Sequence, residues 1–414
     1  GYALGLLRGA WLSRAGVGAA LLFAWVWWYT GHLTLVNPLG CVLYRGTEIV
    51  QQPLTLVNLT QRVTADAQQF VRAAARAQRP FFLYLPFVKV HTALFTNDEF
   101  RGRSRSGFYG DNVEEMDWAV GQIMQTLRDE GVARNTITYF SSDNGPFLER
   151  GVEGGYAGVL RGAKGQNWEG GIRVPGIMHW PDGVAPGSVL GTAVSTMDVL
   201  PTTLAIVDAA LGEKEGALEG LEEEEEEEVV AGERENIHLD GKDIRAWVPG
   251  LHGTPADEAR ARAGGVPHDF LFHYCGNDVH AVRIRGRYKL HYRTALAEDD
   301  ALRPGSCPSS SICHCHNART HNPPLIYDVL EDPGETTPLR GMLAEDVFNG
   351  LVEEAAAAVS RHTATIDYEQ IPNQLQALGR PSLFPCCDKG KWGAWAALLY
   401  LDSTACRCNK DAPR

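Results

Sequence analysis

The chain has few basic residues for its length, and this shortage excludes one class of partner. Its 414 residues contain 38 lysines and arginines against 51 aspartates and glutamates, which gives a formal net charge of −13 at pH 7. Binding to nucleic acid needs a basic face that contacts the phosphates. We therefore expect no nucleic-acid partner. The length predicts two or three domains, and a hydrophobic content of 44% is enough to form a large core.

The nine cysteines lack the repeated C-x₂-C spacing that is typical of structural zinc sites. His314 and His316 alternate with cysteines, so zinc is an alternative, but cysteine-rich loops late in a chain favour disulfides and an oxidising compartment. The sequon Asn58-Leu59-Thr60 points the same way, and we predict glycosylation of Asn58. Cys41 stands apart from the other cysteines, and the odd count leaves one cysteine without a partner in this sequence.

The sequence also lacks an initial methionine, since it begins with Gly1, and we expect a fragment or a processed product. Residues 17–36 contain no Asp, Glu, Lys or Arg, and four aromatic residues gather toward one end of this run. A helix of that length spans the hydrocarbon core of a bilayer, and aromatic residues favour its interfaces. The alternative is a signal peptide, but the run is long and has no clear cleavage site. We predict a membrane helix.

After residue 80, strand and helix patterns alternate. Apolar runs typical of buried strands are separated by segments whose apolar residues recur at three- and four-residue spacing. Such alternation implies a sheet with helices on both faces. The predicted elements are strands at 80–88, 136–140 and 171–181 and helices at 111–131 and 197–211, with Asp111 as the cap of the first helix.

The last third of the chain has a different pattern. Strands at 268–275 and within 281–294, joined by turns, and a helix near 346–361 predict a smaller antiparallel sheet. Glu222 to Glu228 form an acidic run, which is typical of a solvated loop. The predicted domains are residues 1–37, 38–265 and 266–414.

Polar residues follow the predicted strands at the places where open α/β sheets bind ligands. Asp143 and Asn144 end one strand, His91 follows another, and Lys164 lies in a glycine-rich stretch before a third. Each has a simpler interpretation, because Asp, Asn and Gly end strands as turns and a lone Lys is usually solvated. Together they offer oxygen ligands for a cation, a proton carrier and a fixed positive charge. This combination suits an anionic ester bound to a metal.

At this point the sequence resembles a known family. The order of VHTALF, YGDNVEEMDWAVGQI, YFSSDNG and RGAKGQNWEGGIRVPGI is similar to that of the sulfatases, in particular the membrane-associated branch of steroid sulfatase and its arylsulfatase relatives. DFLFHYC, NPPLIYDVLEDPGE and the terminal cysteines extend the resemblance over nearly the whole chain. The resemblance implies an α/β fold of the alkaline phosphatase-like type. Its large mixed sheet is covered by helices and joined by a smaller C-terminal antiparallel sheet, and residues 1–37 would be the remnant of a membrane hairpin.

The resemblance also implies roles for individual residues. Asp143 and Asn144 would help to hold a Ca²⁺ ion beside the sulfate, His91 would protonate the leaving oxygen, and Lys164 would neutralise a sulfate oxygen. Cys41 would remain unpaired. The implied disulfides join Cys275 with Cys315, Cys307 with Cys313, Cys386 with Cys406, and Cys387 with Cys408.

Two groups that sulfatases require do not occur in this sequence. The nucleophile is a cysteine converted to formylglycine within C-x-P-S-R, and CPSSS at 307–311 does not match that pattern. The Asp-Asp pair that completes the calcium shell is also missing, since Asp299-Asp300 follows no predicted strand. By the resemblance, both groups lie upstream of Gly1.

We therefore expect the full-length protein to hydrolyse aryl or steroid sulfate monoesters with Ca²⁺ and formylglycine, and the fragment itself to be inactive. The substrate would be a small-molecule sulfate ester. The expected location is the secretory pathway, with the catalytic domain in the lumen of the endoplasmic reticulum, Golgi or lysosome and attached to the membrane. The alternatives are a catalytically dead membrane glycoprotein of the same fold and a related phosphoesterase.

Overall fold

A computed structural model describes residues 41–218, 239–295 and 318–366, with a few short pieces elsewhere. The acidic run 222–228 lies outside the described residues, as do all the cysteines predicted to pair except Cys275 and Cys408. Of the predicted membrane helix 17–36, only residues 22, 25 and 26 are described, and these are helical. No helix within the described ranges is both long enough and apolar enough to cross a bilayer.

The described helices, named in chain order, are α1 Leu59–Arg76, α2 Gly107–Asp129, α3 Glu169–Ile172, α4 Val199–Leu218, α5 Pro255–Arg262 and α6 Glu345–Thr363. The described strands are β1 Leu43–Arg45, β2 Glu48–Gln52, β3 Thr138–Ser141, β4 Gly176–His179, β5 Phe270–Cys275, β6 Asp278–Ile284, β7 Tyr288–Ala295, β8 Asp299–Asp300, β9 Arg303–Pro304, β10 Ala318–Asp328 and β11 Cys408–Asn409. Short 3₁₀ turns occur at Ala133–Asn135, Leu148–Glu153, Thr196–Asp198 and Arg245–Trp247.

The chain divides into two compact units, one of residues 60–366 and one of residues 1–59 with 367–414. In the second unit, β1, β2 and β11 form an antiparallel sheet in which Cys408 lies opposite Gln52. All candidate catalytic and metal-binding residues belong to the first unit. The domain boundaries predicted after residues 37 and 265 stay predictions.

Helix α2 confirms the helix predicted at 111–131, but it begins four residues earlier. Asp111, predicted to cap the helix, is the fifth residue of the helix and is buried. Its carboxylate accepts hydrogen bonds from the backbone N–H groups of Gly102 and Ser104, both at 2.8 Å. The cap prediction was therefore wrong, because this carboxylate fixes the preceding loop instead of the first helical amides.

The large sheet predicted for the α/β part is represented by only two strands in the described residues. β3 and β4 pair antiparallel, with Thr138 opposite His179 and Ser141 opposite Gly176. The apolar run 80–88, predicted as a strand, has no hydrogen-bonded partner strand in the described part of the chain. Its Phe82 and Tyr84 are 80% and 77% exposed. The strand prediction was therefore wrong for the described chain, because a strand needs a paired neighbour.

The smaller C-terminal sheet is antiparallel, as predicted, with strand order β10-β7-β6-β5. Arg285 and Gly286, both with positive φ, turn the chain between β6 and β7. Helix α6 covers one face of the sheet, and its Phe348, Leu351 and Ala355 form a hydrophobic core together with buried residues of the strands. Because each fully buried large apolar side chain contributes about 1.5–3 kcal/mol, this core is a major source of stability. The sheet residues of the core are Val282, Ile284, Leu290 and Ile326.

The described cysteines agree in part with the sequence analysis. Cys275 at the end of β5 is disulfide-bonded. Its predicted partner Cys315 lies outside the described residues, so the pairing stays a prediction. Cys41 is free and exposed. Asp299-Asp300, which sequence reasoning placed in a loop, pairs with Arg303-Pro304 in a two-residue ladder.

Candidate active site

The end of β3 is held against the glycine-rich stretch that follows it in sequence. The N–H of Gly145 donates to the carbonyl of Gly171 at 2.9 Å, and the Ser141 hydroxyl donates to the carbonyl of Pro175 at 3.0 Å. A Cβ atom on Gly145 would lie 1.9 Å from the carbonyl oxygen of Gly170. Only glycine permits this approach of two backbones. Asp143 and Asn144 are thereby fixed next to the stretch that carries Lys164.

Lys164 is connected to the same strand end. Its backbone N–H donates to the carbonyl of Pro146 at 2.9 Å, two residues after Asn144. Its ammonium lies 5.7 Å from the ring centre of Phe147, near the outer limit for a cation–π contact. The side chain is half-buried, so its charge is held in place yet still reaches solvent.

His91 reaches this cluster from a segment 73 residues away. Its Nε2 lies 3.5 Å from the Nζ of Lys164, and its Nδ1 contacts the carbonyl oxygen of Thr92. A carbonyl oxygen can only accept, so Nδ1 carries a proton in this arrangement. The lone pair of Nε2 then faces the ammonium of Lys164. The imidazole is exposed and available to a ligand.

The structure therefore brings His91 and Lys164 into contact beside the turn that carries Asp143 and Asn144. Asp143 is exposed, and its carboxylate makes no hydrogen bond or ion pair with the part of the chain that the structure describes. Asn144 is half-buried, and its backbone carbonyl accepts from the Ser142 hydroxyl at 3.2 Å. Asp143 and Asn144 are held in place by the end of β3 and by the backbone contacts of Gly145 with Gly170 and Gly171. Their side chains do not bond directly to His91 or Lys164 in the described part of the chain.

The donors at this strand end fit Ca²⁺ in type but not in number. Carboxylate and amide oxygens are suitable ligands, but Ca²⁺ takes about six to eight oxygen atoms. Asp143 and Asn144 supply only part of such a shell. Within the described ranges, no group of three or more His, Cys, Asp or Glu side chains is arranged to hold a metal ion.

Two buried polar clusters behind the site were not found by sequence reasoning. The first lies under His91, where the ammonium of Lys89 is 2.9 Å from Glu115 Oε2 and 2.9 Å from Asn112 Oδ1. Burial alone would raise the pKa of Glu115, but hydrogen bonds from Thr96, Lys89 and Gln61 hold it below its usual value. Burial lowers the pKa of Lys89, and its hydrogen bond and ion pair with Glu115 oppose that shift. This cluster ties the segment before His91 to α2.

The second cluster lies behind Lys164 and joins the glycine-rich stretch to the C-terminal sheet. The Lys289 ammonium is 2.9 Å from Glu169 Oε1, and His291 Nε2 is 2.7 Å from Glu335 Oε1. All four side chains are at least 99% buried. Sequence reasoning missed them because they come from three distant segments. The available signals in the sequence were Glu169 within the glycine-rich stretch and Lys289 within the predicted strand at 281–294.

Comparison with known proteins gives one family for both parts of the chain. The family described as "Sulfatase" matches residues 42–209, and "C-terminal region of aryl-sulfatase" matches residues 266–396. Arylsulfatase D of Homo sapiens is 33% identical over 390 residues, covering 91% of this chain and 58% of the relative. Steryl-sulfatase of Homo sapiens is 34% identical over 372 residues, covering 87% and 57%. The chain thus spans less than two thirds of the length of these relatives.

A solved structure supports the fold. The PsFucS1 sulfatase from Pseudoalteromonas sp. matches with a TM-score of 0.58 at 22% identity, covering 74% of this chain and 53% of that one. This likeness confirms the alkaline phosphatase-like fold of sulfatases with an antiparallel C-terminal sheet. The two family matches and the relatives over most of its length show that the chain belongs to the sulfatase family.

Proposed function

We propose that this chain forms part of an enzyme that hydrolyses sulfate monoesters of the aryl or steroid type. The family relationship supports the reaction class. The observation that carries the proposal is the 3.5 Å contact between His91 Nε2 and Lys164 Nζ beside the Asp143-Asn144 turn. An exposed imidazole next to a fixed ammonium gives one group that transfers a proton and one that neutralises an anion.

The proposed roles follow from this arrangement. The ammonium of Lys164 binds a sulfate oxygen and stabilises the negative charge of the transition state. In its imidazolium form, with protons on both ring nitrogens, His91 gives the Nε2 proton to the leaving alcohol or phenol oxygen and keeps the Nδ1 proton. Asp143 and Asn144 donate part of a Ca²⁺ shell, and we assign no step to the metal because the described residues do not complete that shell.

The nucleophilic step is assigned to no residue of this sequence. C-x-P-S-R occurs nowhere in the 414 residues. We propose that formylglycine supplies the nucleophile in the full-length protein and that residues 1–414 alone do not hydrolyse sulfate esters. Release of the phenol from an aryl sulfate by residues 1–414 would contradict this part of the proposal.

We also propose that the protein acts in the secretory pathway. The disulfide at Cys275 and the exposed Asn58 of the sequon support this location. The same proposal includes the further disulfides, a membrane helix at 17–36 and an apolar sulfate ester as the substrate. Detection of a glycan on Asn58 by mass spectrometry of the natural protein would test it.

The roles of His91 and Lys164 can be separated with two sulfate esters. In the full-length protein, we expect His91→Ala to lower kcat about 10²–10⁴-fold on a steroid sulfate, whose alkoxide needs a proton to leave. The loss should be much smaller on 4-nitrophenyl sulfate, which leaves as a stable phenolate. Lys164→Ala should lower kcat about 10²–10³-fold on both esters. Equal losses on both esters for His91→Ala would refute its assignment as general acid. A separate comparison tests the reaction class: if the wild-type full-length protein hydrolysed phosphate monoesters faster than sulfate monoesters, a phosphoesterase would be favoured.

A further inference from the structure

The stretch from Arg161 to Arg173, here named the Lys164 loop, has little regular structure of its own. It contains one turn of helix, α3, and two glycines, Gly170 and Gly171, that lie against its own backbone. Cβ atoms on Gly170 and Gly171 would come within 2.5 Å of carbonyl oxygens of the same loop. The glycines allow the compact shape, but glycine also gives the unfolded chain the most conformational freedom. The loop therefore needs contacts from outside to hold Lys164.

Glu335 supplies such contacts from the turn after β10. Its Oε2 accepts from the backbone N–H of Glu169 at 2.6 Å, and its own backbone carbonyl accepts from Arg161 Nη1 at 3.2 Å. One residue thus binds the loop near both of its ends, on either side of Lys164. Its other oxygen, Oε1, accepts from His291 Nε2 at 2.7 Å, which fixes the carboxylate to the C-terminal sheet.

The charges behind the loop are paired by a second set of contacts. The Glu169 carboxylate forms ion pairs with Lys289 Nζ at 2.9 Å and with Arg283 Nη1 at 3.1 Å. Lys289 Nζ also lies 3.6 Å from Glu335 Oε1. Two carboxylates thus face two cations at a site closed to solvent. A buried charge is tolerated only when it is paired and hydrogen-bonded, so these groups strongly favour one arrangement of the loop.

The backbone of Glu335 supports a specific role for its side chain. Its φ is +49°, in the left-handed region that favours glycine. A non-glycine residue held in this region carries strain that the surrounding structure must offset. Glycine precedes it at position 334, yet glutamate occupies the strained position with no exposed surface. The contacts of its carboxylate with Glu169 and His291 account for glutamate at this place.

We propose that Glu335 is a positioning residue that holds the Lys164 loop so that the Lys164 ammonium faces His91. It acts through the N–H of Glu169 and through Arg161, and it does not contact the ester. The importance of Lys164 rests on the proposed function, but the positioning itself does not. The C-terminal sheet is thereby a part of the active-site structure and not only a neighbouring module.

The test measures loop order and lysine environment in the same chain, with and without inorganic sulfate. Hydrogen exchange followed by mass spectrometry reports on peptides covering residues 161–173, and acetylation reports on the Lys164 amine. Glu335→Gln keeps the shape but cannot accept from both Glu169 N–H and His291 Nε2. Glu335→Asp keeps the charge on a shorter side chain. Asp198→Asn is the matched control, because it removes another buried carboxylate that pairs with a histidine, His268, at 2.8 Å.

We expect Glu335→Gln to speed exchange in 161–173 and acetylation of Lys164 at least tenfold, with Glu335→Asp intermediate. Asp198→Asn should leave both rates within twofold of wild type. Wild-type rates in both Glu335 variants, or equal loosening of the loop by Asp198→Asn, would overturn the proposal. If Glu335→Gln does not fold, the Glu335→Asp result decides. Failure of sulfate to protect Lys164 in the wild-type chain would count against the proposed function and leave the positioning result unaffected.

Discussion

The C-terminal sheet and the α/β part of the same unit differ in how their apolar surface is covered. In the sheet, Leu290 and Ile326 are fully buried under α6. In the α/β part, Leu200 and Leu211 on one side of α4 are 53% and 51% exposed, and Phe82 and Tyr84 are more exposed still. The C-terminal region therefore has a covered hydrophobic core, whereas the described α/β part leaves large apolar side chains exposed and buries the ion pair of Lys89 with Glu115.

The largest expected effect comes from breaking the buried polar cluster of Lys89 and Glu115 in the α/β part. Lys89→Met removes the cation and leaves Glu115 charged and buried, which costs about 3–5 kcal/mol of unfolding free energy. Chemical denaturation followed by tryptophan fluorescence measures the change. The double variant Lys89→Met/Glu115→Leu should regain most of the loss, because an apolar pair replaces the ion pair. A loss below about 1 kcal/mol in Lys89→Met would show that this cluster does not stabilise the α/β part.

A matched pair of isoleucines compares the two regions directly. Ile326 in β10 is fully buried, and Ile177 in β4 is 59% exposed. Ile326→Ala should cost about 2–5 kcal/mol, since it removes apolar contacts and leaves a cavity. Ile177→Ala should change stability by about 0.5 kcal/mol or less. Equal costs at the two positions, measured by denaturation, would contradict the contrast between a covered and an uncovered sheet.

A smaller effect is expected from pH near neutrality, and within the described residues we assign it to His273 and His291 of the C-terminal sheet. Burial, reinforced by the charge of Lys289, holds the pKa of His273 well below its usual value of about 6.5. Burial also lowers the pKa of His291, although Glu335 opposes that shift. The unfolded chain then binds more protons than the folded chain below about pH 6.5, so stability falls as the pH decreases.

Each histidine contributes at most about 1.4 kcal/mol per pH unit in this range, until the folded pKa is reached. Denaturation curves at pH 7.5, 6.5 and 5.5 measure the slope. The variant His273→Gln should reduce it, and an unchanged slope would refute the assignment to this residue. Despite burial, the charges of Lys289 and Arg283 lower the pKa of Glu169, so this carboxylate titrates below the pH range of the experiment.

Local patterns allowed part of this fold to be predicted. The three- and four-residue spacing of apolar residues predicted α2, and alternating strand patterns predicted the sheet of β5, β6 and β7. Both depend on neighbours in sequence, so one sequence is enough to reveal them. The cap role of Asp111 and the strand at 80–88 were predicted wrongly, because each depends on what the segment packs or pairs with.

For the candidate site, the sequence by itself determined which residue types are present and that the chain resembles sulfatases. Asp143 and Asn144 were selected because they end a strand, and His91 and Lys164 because they lie next to predicted strands in segments that resemble sulfatases. Only the tertiary structure decided that His91 meets Lys164 across 73 residues and that Glu335 accepts a hydrogen bond from Glu169 in the Lys164 loop. Such contacts join segments that are distant in the chain, and their energies depend on burial and exact distance, which no local pattern contains.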